Sequence, residues 1–412
     1  MQKTKICHVA ASHKRYDRRI FEKECQSLAK AGYDVTLLVA DGKESEVING
    51  VKIQSVDLST GARWLGPGEW IIDGKRKKSK DVSIFNRIQR EIYTSKYMLN
   101  DAMAVDADIY HIHEPILLRL GAKLKSIGKK VIFDSHENHP AQIRVNKSIP
   151  SFLRKLCSST YYRYETHTTK KFNAVIVPCT VFNGINIFEG RCSKIQIISN
   201  APKLEDFYDI YDQQHGFAKT LEPSVCYVGG LTPQRGIIQL IKAAYKAGVR
   251  LNLAGIYSPT GYQEELEKMK EYSCVNYLGY LYPSDLVDVY KNSKIGIATI
   301  LNIGQYHTGD NFATMVYEYM SMGLPVILSK SQFVEKVFED YRFGITVDPG
   351  NIEEIADAIR RIIEDPTTSK SMGENGRMAI KKLFNWEIEE IKLLNLYQEL
   401  SSIKEINSCL KS

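Results

Sequence analysis

Four short stretches of this 412-residue chain concentrate side chains that could do chemistry. In the second half, Thr308-Gly309-Asp310-Asn311-Phe312-Ala313-Thr314 reads as a polar, glycine-containing loop feeding an apolar helix that stops at Gly323. Asp310 stands at the expected helix entrance and Glu318 lies about two turns further on, which puts both carboxylates on nearly one face. Glu318 sits among Val316, Tyr317, Tyr319 and Met320, a neighbourhood that would bury it. A buried carboxylate wants hydroxyl or amide partners, and a ribose diol is such a partner. Upstream, Cys226-Tyr227-Val228-Gly229-Gly230-Leu231-Thr232-Pro233-Gln234-Arg235-Gly236 reads as a strand running into two glycines and then a helix whose first turn carries a cation. Glycine lets a phosphate approach the backbone, a helix N-terminus favours negative charge, and an arginine forks onto phosphate oxygens. An ordinary strand-to-helix turn is the plain alternative.

In the first half, His111-Ile112-His113-Glu114 and Asp134-Ser135-His136-Glu137 each end an apolar run. Adjacent parallel strands would bring these polar ends together. Imidazole and carboxylate suit zinc, manganese or iron, with His8 and His13 as the remaining ligand candidates at a strand end. Strand-end hydrogen bonding and recognition of a polar acceptor explain the same residues, and we take the acceptor reading and assign no metal. Asp106-Ala107-Asp108 precedes its strand and so falls at the wrong end of a sheet for a metal-bound ligand. Gly66-Pro67-Gly68 reads as a turn, and neither a G-x-G-x-x-G fingerprint nor a Walker A loop occurs.

These residues need a scaffold of parallel strands. Apolar runs at Ile6–Ala10, Val35–Ala40, Val51–Val56, Ile109–Ile112, Val131–Phe133, Ala174–Val177 and Ile195–Ile198 alternate with helix-period segments such as Phe21, Cys25, Leu28 and Ala29. The alternation restarts with Val225–Val228, Leu251–Ala254, Val275–Leu278, Ile295–Ala298, Val326–Leu328 and Ile345–Val347. This predicts an α/β chain of two doubly wound domains, with ligands outside the carboxyl ends of the strands and a cleft enclosed between the domains. Pro202–Pro223, poor in aliphatic residues, is the expected linker, and Trp386, Ile388, Ile391, Leu394 and Tyr397 predict an amphipathic final helix. The domain limits expected are 1–203, 204–385 and a helix over 386–412 that returns to the first domain.

Composition agrees with a globular chain: 43% hydrophobic, 25% charged, 27 Gly and 13 Pro. Disorder, collagen and a disulfide-stapled miniprotein are excluded, and the length suits two domains. Eight cysteines without a C-x-x-C pair read as buried reduced thiols. No run approaches 18 apolar residues and no signal-peptide core follows Met1, so a cytoplasmic protein is expected. Residues 1–200 carry 33 Lys and Arg against 20 Asp and Glu, a surplus of +13, whereas residues 201–412 carry 22 against 28. The first half should therefore meet an anion.

Taken in order, these pieces resemble a family 4 glycosyltransferase of the GT-B fold. The resemblance rests on Asp17-Arg18-Arg19-Ile20-Phe21-Glu22-Lys23-Glu24 leading to Ala31-Gly32-Tyr33; the H-x-H-E strand end; Asp134-Ser135-His136-Glu137; Tyr227-Val228-Gly229-Gly230 with Arg235-Gly236; Asn276-Tyr277-Leu278-Gly279-Tyr280; Glu318-Tyr319-Met320 with Gly323-Leu324-Pro325; and Asn385-Trp386-Glu387. It implies two Rossmann-like domains, the second binding a nucleotide-sugar and the first an acceptor. It implies transfer to a hydroxyl with retention of configuration, in surface polysaccharide or glycoconjugate synthesis. The family's two glutamates eight residues apart map onto Asp310 and Glu318, and its phosphate-binding arginine and lysine onto Gly230 and Arg235, so one cation is missing here. His136, Arg235, Asp310 and Glu318 are then the implied catalytic residues. The donor would be held by Gly229, Gly230, Arg235, Tyr280, Asp310, Asn311, Phe312, Ala313, Thr314 and Glu318, and the acceptor by Asp17, Arg19, His113, His136 and Glu137.

No cofactor or metal is implied beyond the nucleotide-sugar, with a UDP-sugar preferred to a GDP-sugar. A metal-dependent hydrolase built on His111, His113, Asp134 and His136, and a GT-B nucleotide-sugar epimerase, are the rival functions. The basic run Lys75-Arg76-Lys77-Lys78-Ser79-Lys80 and the basic, aromatic stretch from Phe152 to Tyr164 would meet an anionic membrane at the inner face of the cytoplasmic membrane. No nucleic-acid motif is present. Oligomeric state is open.

Overall fold

The computed structural model describes residues 3–56, 63–66, 69–72, 75–78, 84–146, 149–180, 186–213, 222–301 and 309–409. Pro67, Gly68, Ser79, Lys80, Thr308 and part of the expected linker lie outside them. The chain divides into two compact units, the first built from Met1–Thr180, Ile185–Ser199 and Glu389–Ser412, the second from Asn200–Ile388.

The first unit holds β1 (Lys5–Ala10), β2 (Asp34–Val39), β3 (Glu46–Ile48), β4 (Val51–Ser55), β5 (Arg63–Gly66), β6 (Glu69–Ile72), β7 (Lys75–Lys78), β8 (Ile109–Ile112), β9 (Lys130–Asp134), β10 (Ala174–Val177) and β11 (Ile195–Ile197). Its main sheet runs β11-β10-β9-β8-β1-β2-β4-β3, parallel except for β3. Strands covered on both faces read as continuous apolar runs, which is why Val131–Phe133 and Ala174–Val177 were legible as strands. The small antiparallel sheet β5-β6-β7 was not expected, and it takes Lys75–Lys78 into a strand. The helices are α1 (Gln26–Lys30), continuous with a π-type turn over Ile20–Cys25, then α2 (Ile84–Val105), α3 (Leu118–Ser126), α4 (His139–Val145) and α5 (Ser151–Thr169).

The second unit holds α6 (Leu204–Gln213), β12 (Ser224–Val228), α7 (Ile237–Ala247), β13 (Arg250–Ala254), α8 (Tyr262–Glu267), β14 (Val275–Gly279), α9 (Pro283–Lys291), β15 (Ile295–Ala298), α10 (Thr314–Ser321), β16 (Val326–Ser329), α11 (Gln332–Asp340), β17 (Gly344–Val347), α12 (Ile352–Glu364) and α13 (Pro366–Leu383). Its sheet order, β14-β13-β12-β15-β16-β17, is the 3-2-1-4-5-6 order of a dinucleotide-binding sheet. The final helix, α14 (Trp386–Cys409), begins in this unit and continues into the first.

Two expectations fail here. Pro202–Pro223 is not a bare linker: α6 lies within it, with Phe207 buried edge-on against Tyr290. Its apolar face is aromatic, so a search for aliphatic residues passes over it. On α14 the buried stripe is Trp386, Leu393, Leu396, Tyr397 and Leu400, while Ile391 is 60% exposed, so the expected register was wrong there.

Candidate functional site

In a sheet of order 3-2-1-4-5-6 the strand order reverses between the first and fourth strands, and loops leaving that point diverge to form a crevice. In the second unit these strands are β12 and β15, paired at Cys226 and Gly296. Gly229 and Gly230 leave β12, Thr299 to Leu301 leave β15, and α10 covers both. A Cβ on Gly296 would collide with the Tyr319 ring, so glycine is what lets α10 pack this closely. The buried Tyr319 hydroxyl then accepts the Val228 N–H at 3.0 Å, tying the helix to the loop.

The glycine loop is a lattice of backbone bonds. Gly229 N–H donates to Ala254, Leu231 N–H to Ile256 and Gly255 N–H to Gly279. A Cβ on Gly255 would stand 1.8 Å from the Gly229 carbonyl oxygen, whereas one on Gly230 would meet nothing within 4 Å. The loop is thus rigid on its inner side and open at Gly230. Arg235 is not on the first turn of α7. Pro233–Arg235 is a separate 3-10 turn ended by Gly236 at φ +71°, where a side chain would strike the Thr299 carbonyl.

Glu318 is buried on α10 and accepts a hydrogen bond of 2.5 Å from the Tyr290 hydroxyl. Burial, reinforced by the Glu318 charge, pushes the Tyr290 hydroxyl well up, so it remains a donor. Asp310 does not share a helix face with Glu318: α10 starts only at Thr314, because Ala313 is extended (φ −61°, ψ 143°). Asp310 and Asn311 lie half-buried in the loop ahead, and Thr314 is exposed. No side chain caps the α10 N-terminus. Phe312 does not line an open site. Its ring packs against Tyr317, Phe333, Phe343 and Phe384, and its N–H donates to the Tyr317 hydroxyl. Tyr280, just past β14, is 55% exposed and meets Tyr282 edge-on.

In the first unit the reversal lies between β1 and β8, which pair His8 with His111. His8, His111 and His113 are fully buried, and burial holds all three imidazoles below their ordinary range. His8 Nδ1 is 2.9 Å from His113 Nε2, and the Tyr397 hydroxyl is 2.9 Å from His111 Nδ1. Arg19 is not open to an acceptor. Buried, it reaches Asp134 with Nε at 2.9 Å, Glu24 at 3.1 Å and the Ile198 carbonyl at 3.1 Å. Burial by itself raises the Asp134 carboxyl, but Arg19 and His136 outweigh it and hold it well below the usual range. Asp17 caps the first helix, accepting from the Arg19 and Ile20 N–H groups while facing His13 at 3.1 Å. Opposing its burial, that bond to His13 and those to the two backbone groups keep Asp17 ionised.

His136 is partly exposed, its Nε2 3.2 Å from Asp134, and Glu137 is exposed and bonded to Gln142. Glu114 was missed. Its carboxylate gathers the N–H groups of Ala11, Ser12 and His13 at 2.7–3.2 Å and so fixes the loop after β1. The signal was its place in H-x-H-E, the next polar residue past the strand. Asp106 and Asp108 pair with Lys129 and the Lys5 N–H, ahead of β8. Among the described residues, His8, Glu24, His111 and His113 form one group of metal-compatible ligands, and His113, Asp134 and His136 another.

Residues 209–379 match the family model of glycosyl transferases group 1. Two uncharacterized glycosyltransferases of Methanocaldococcus jannaschii are similar: one is 28% identical over 43% of this chain and 45% of its own length, the other 23% identical over 90% and 91%. Among solved structures, sucrose-phosphate synthase from Thermosynechococcus elongatus aligns over 97% of this chain and all of its own, with a TM-score of 0.75 at 18% identity. Anabaena HepE in complex with UDP and glucose covers the same shares, with a TM-score of 0.63 at 15% identity. These likenesses do not favour the hydrolase reading. Two Rossmann-like units with a strand-order reversal lined by glycines give this chain the GT-B fold, and residues 209–379 are similar to glycosyl transferases group 1.

Proposed function

We propose that the protein transfers a sugar from a nucleotide-sugar, with UDP as the preferred carrier, to a hydroxyl of a glycan or lipid-linked acceptor with retention of configuration. The observation that carries this reading is Glu318: a buried carboxylate oriented by Tyr290 on the helix that closes the reversal point, one turn past Met315, which stands against Gly229. A carboxylate there suits a ribose diol. Gly229 and Gly230 leave room for a diphosphate, and the uncapped N-terminus of α10 and the Arg235 guanidinium supply positive potential. Asp310, Asn311, Ala313 and Thr314 precede or open that helix and are assigned to the transferred sugar and its phosphate. Tyr280 is assigned to the base. The solved complex of HepE with UDP and glucose supports a uridine carrier.

In the reaction proposed, the glycosidic bond to the diphosphate breaks, and the departing oxygen takes the proton of the acceptor hydroxyl as that hydroxyl bonds to the same face of the sugar. Arg235 and backbone N–H groups offset the charge that develops on the diphosphate. The transfer step uses no metal. In the first unit, His136 and Glu137 are the exposed groups assigned to the acceptor, with Asp17, Arg19 and His113 holding the surrounding frame.

A cytoplasmic enzyme working at an anionic membrane surface, in polysaccharide or glycoconjugate synthesis, fits the surface of α5. This helix exposes Phe152 (80%) and Leu156 (63%) beside Arg154 and Lys155. Among the described residues no helix is long and apolar enough to cross a membrane. Incubation with a panel of nucleotide-sugars and acceptor hydroxyls, followed by NMR of the product's anomeric proton, tests the proposal. Release of nucleoside diphosphate with an unchanged anomeric configuration is expected. An altered nucleotide-sugar formed without acceptor would instead identify an epimerase.

A further inference from the structure

We propose that the first unit holds a structural divalent transition-metal ion of the zinc class, bound by His8, Glu24, His111 and His113. The four side chains come from three elements: His8 from β1, His111 and His113 from β8 and the residue after it, and Glu24 from the helical turn that crosses them. Register makes the pair His8 and His111 adjacent, and the i, i+2 alternation along the strand brings His113 to the same face. Their exposures are 0%, 0%, 0% and 1%.

Donor geometry fits one ion. Glu24 Oε2 lies 3.9 Å from each of His8 Nδ1, His111 Nδ1 and His113 Nε2. His8 Nδ1 and His113 Nε2 are 2.9 Å apart, and one ligand atom from each of the four residues falls within 4.8 Å of the others. A tetrahedral zinc with bonds of about 2.0–2.2 Å separates its donors by about 3.3–3.5 Å, inside that spread. Of these donor atoms, Glu24 Oε2 is buried without a hydrogen-bond partner, as is His111 Nε2 on the far side of its ring, while His8 Nδ1 faces His113 Nε2 and His111 Nδ1 faces Tyr397. Native interiors rarely leave a buried carboxylate oxygen unanswered.

The surroundings also have the form of a ligand-orienting shell, in which each ligand's other atom meets a fixed partner. Glu24 Oε1 lies 3.1 Å from Arg19 Nε, His113 Nδ1 lies 3.5 Å from Asp134 Oδ2, and His8 Nε2 lies 3.3 Å from the Tyr397 hydroxyl. His111 differs, since its Nδ1 is the atom that meets Tyr397 and would exchange that contact for the ion. With four buried protein ligands the site is closed, as structural zinc sites are, and it takes no part in transfer chemistry.

The test uses the full-length protein. Metal content after gel filtration should be about one ion per chain. Protein stripped by prolonged chelation should regain thermal stability with equimolar Zn2+, and Co2+ should give the visible bands of a tetrahedral site without thiolate charge transfer. Glu24→Gln, nearly the same shape, should bind Co2+ at least about tenfold more weakly. If that variant fails to fold, the Zn2+ and Co2+ titrations of the wild-type chain decide alone. Metal-free wild-type protein whose melting temperature and spectrum ignore both ions would overturn the proposal. So would a thiolate band, or undiminished Co2+ binding by folded Glu24→Gln.

Discussion

The two units repeat one sheet order and place polar residues at the same topological point, yet they use it in opposite ways. In the first, the strands that meet at the reversal carry His8 and His111, which lie buried beneath the first helix among Glu24, Arg19 and Asp134. In the second, the corresponding pair includes Gly296, the loop beyond is Gly229-Gly230, and one carboxylate, Glu318, is oriented by a tyrosine. The first arrangement turns polar groups toward one another. The second leaves backbone open for a ligand. Polarity at a strand end is therefore not itself a sign of a site, and what separates the two cases is where the charge is already answered.

If that contrast is right, substitutions at the reversal point of the second unit should cost turnover and substitutions in the buried cluster of the first should cost stability. The largest effect expected is on transfer. Glu318→Ala and Arg235→Ala should each lower kcat/KM by roughly a hundredfold or more with little change in melting temperature, since one preorganised contact to developing charge is worth on the order of 3 kcal/mol. Near-normal rates in both would remove the distinction. Next, Arg19→Met should leave Asp134 buried without its cation and destabilise the fold by about 3–5 kcal/mol, read as a fall in the denaturant midpoint. A stable Arg19→Met protein with impaired acceptor use would move Arg19 into the acceptor site.

The pH dependence of stability sharpens the same contrast. The buried histidines His8, His111 and His113 titrate lower in the folded chain than in the unfolded one. The unfolded state therefore binds more protons below about pH 6.5, and stability should fall as the pH drops through that point. Glu24, raised by burial against the pull of Arg19, and His13, raised by Asp17 against its burial, have the opposite sign, so three groups stand against two and the fall should be steepest below about pH 6.5. Denaturant unfolding between pH 7.5 and 5.5 would reveal it, and a flat profile would contradict the buried cluster. The smallest effect on stability belongs to Gly230→Ala, at an open position, which should change it by less than about 0.5 kcal/mol while crowding the proposed diphosphate. Gly255→Ala, placed against the Gly229 carbonyl at φ +147°, should instead disrupt the glycine loop and with it the proposed donor site.

Thirteen strands of the two main sheets were legible from their apolar residues, most plainly where both faces are covered and the run is continuous, as in Val131–Phe133 and Ile295–Ala298. The edge strand β3 and the β5-β6-β7 sheet escaped, being short and polar, as in Lys75–Lys78. At the proposed donor site, the burial of Glu318 followed from its apolar neighbours. The extended Ala313 that delays α10, and the left-handed Gly236 that separates Arg235 from α7, could not be read, because backbone angles of single loop residues depend on what packs around them. Arg19 and Phe312, expected to meet ligands, have interior partners instead, for one reason. A motif gives residue order but not which side chains the interior consumes, and the ion pair to Asp134 and the ring of phenylalanines appear only when distant segments meet.

The central claim is that the second unit holds the nucleotide through Glu318, and calorimetric titration of UDP into the wild-type chain and into Glu318→Ala tests it most directly. Saturable binding to the wild type at one site per chain, weakened about tenfold or more in a variant that melts at the same temperature, is the result predicted. Equal UDP affinity in the two proteins would contradict it.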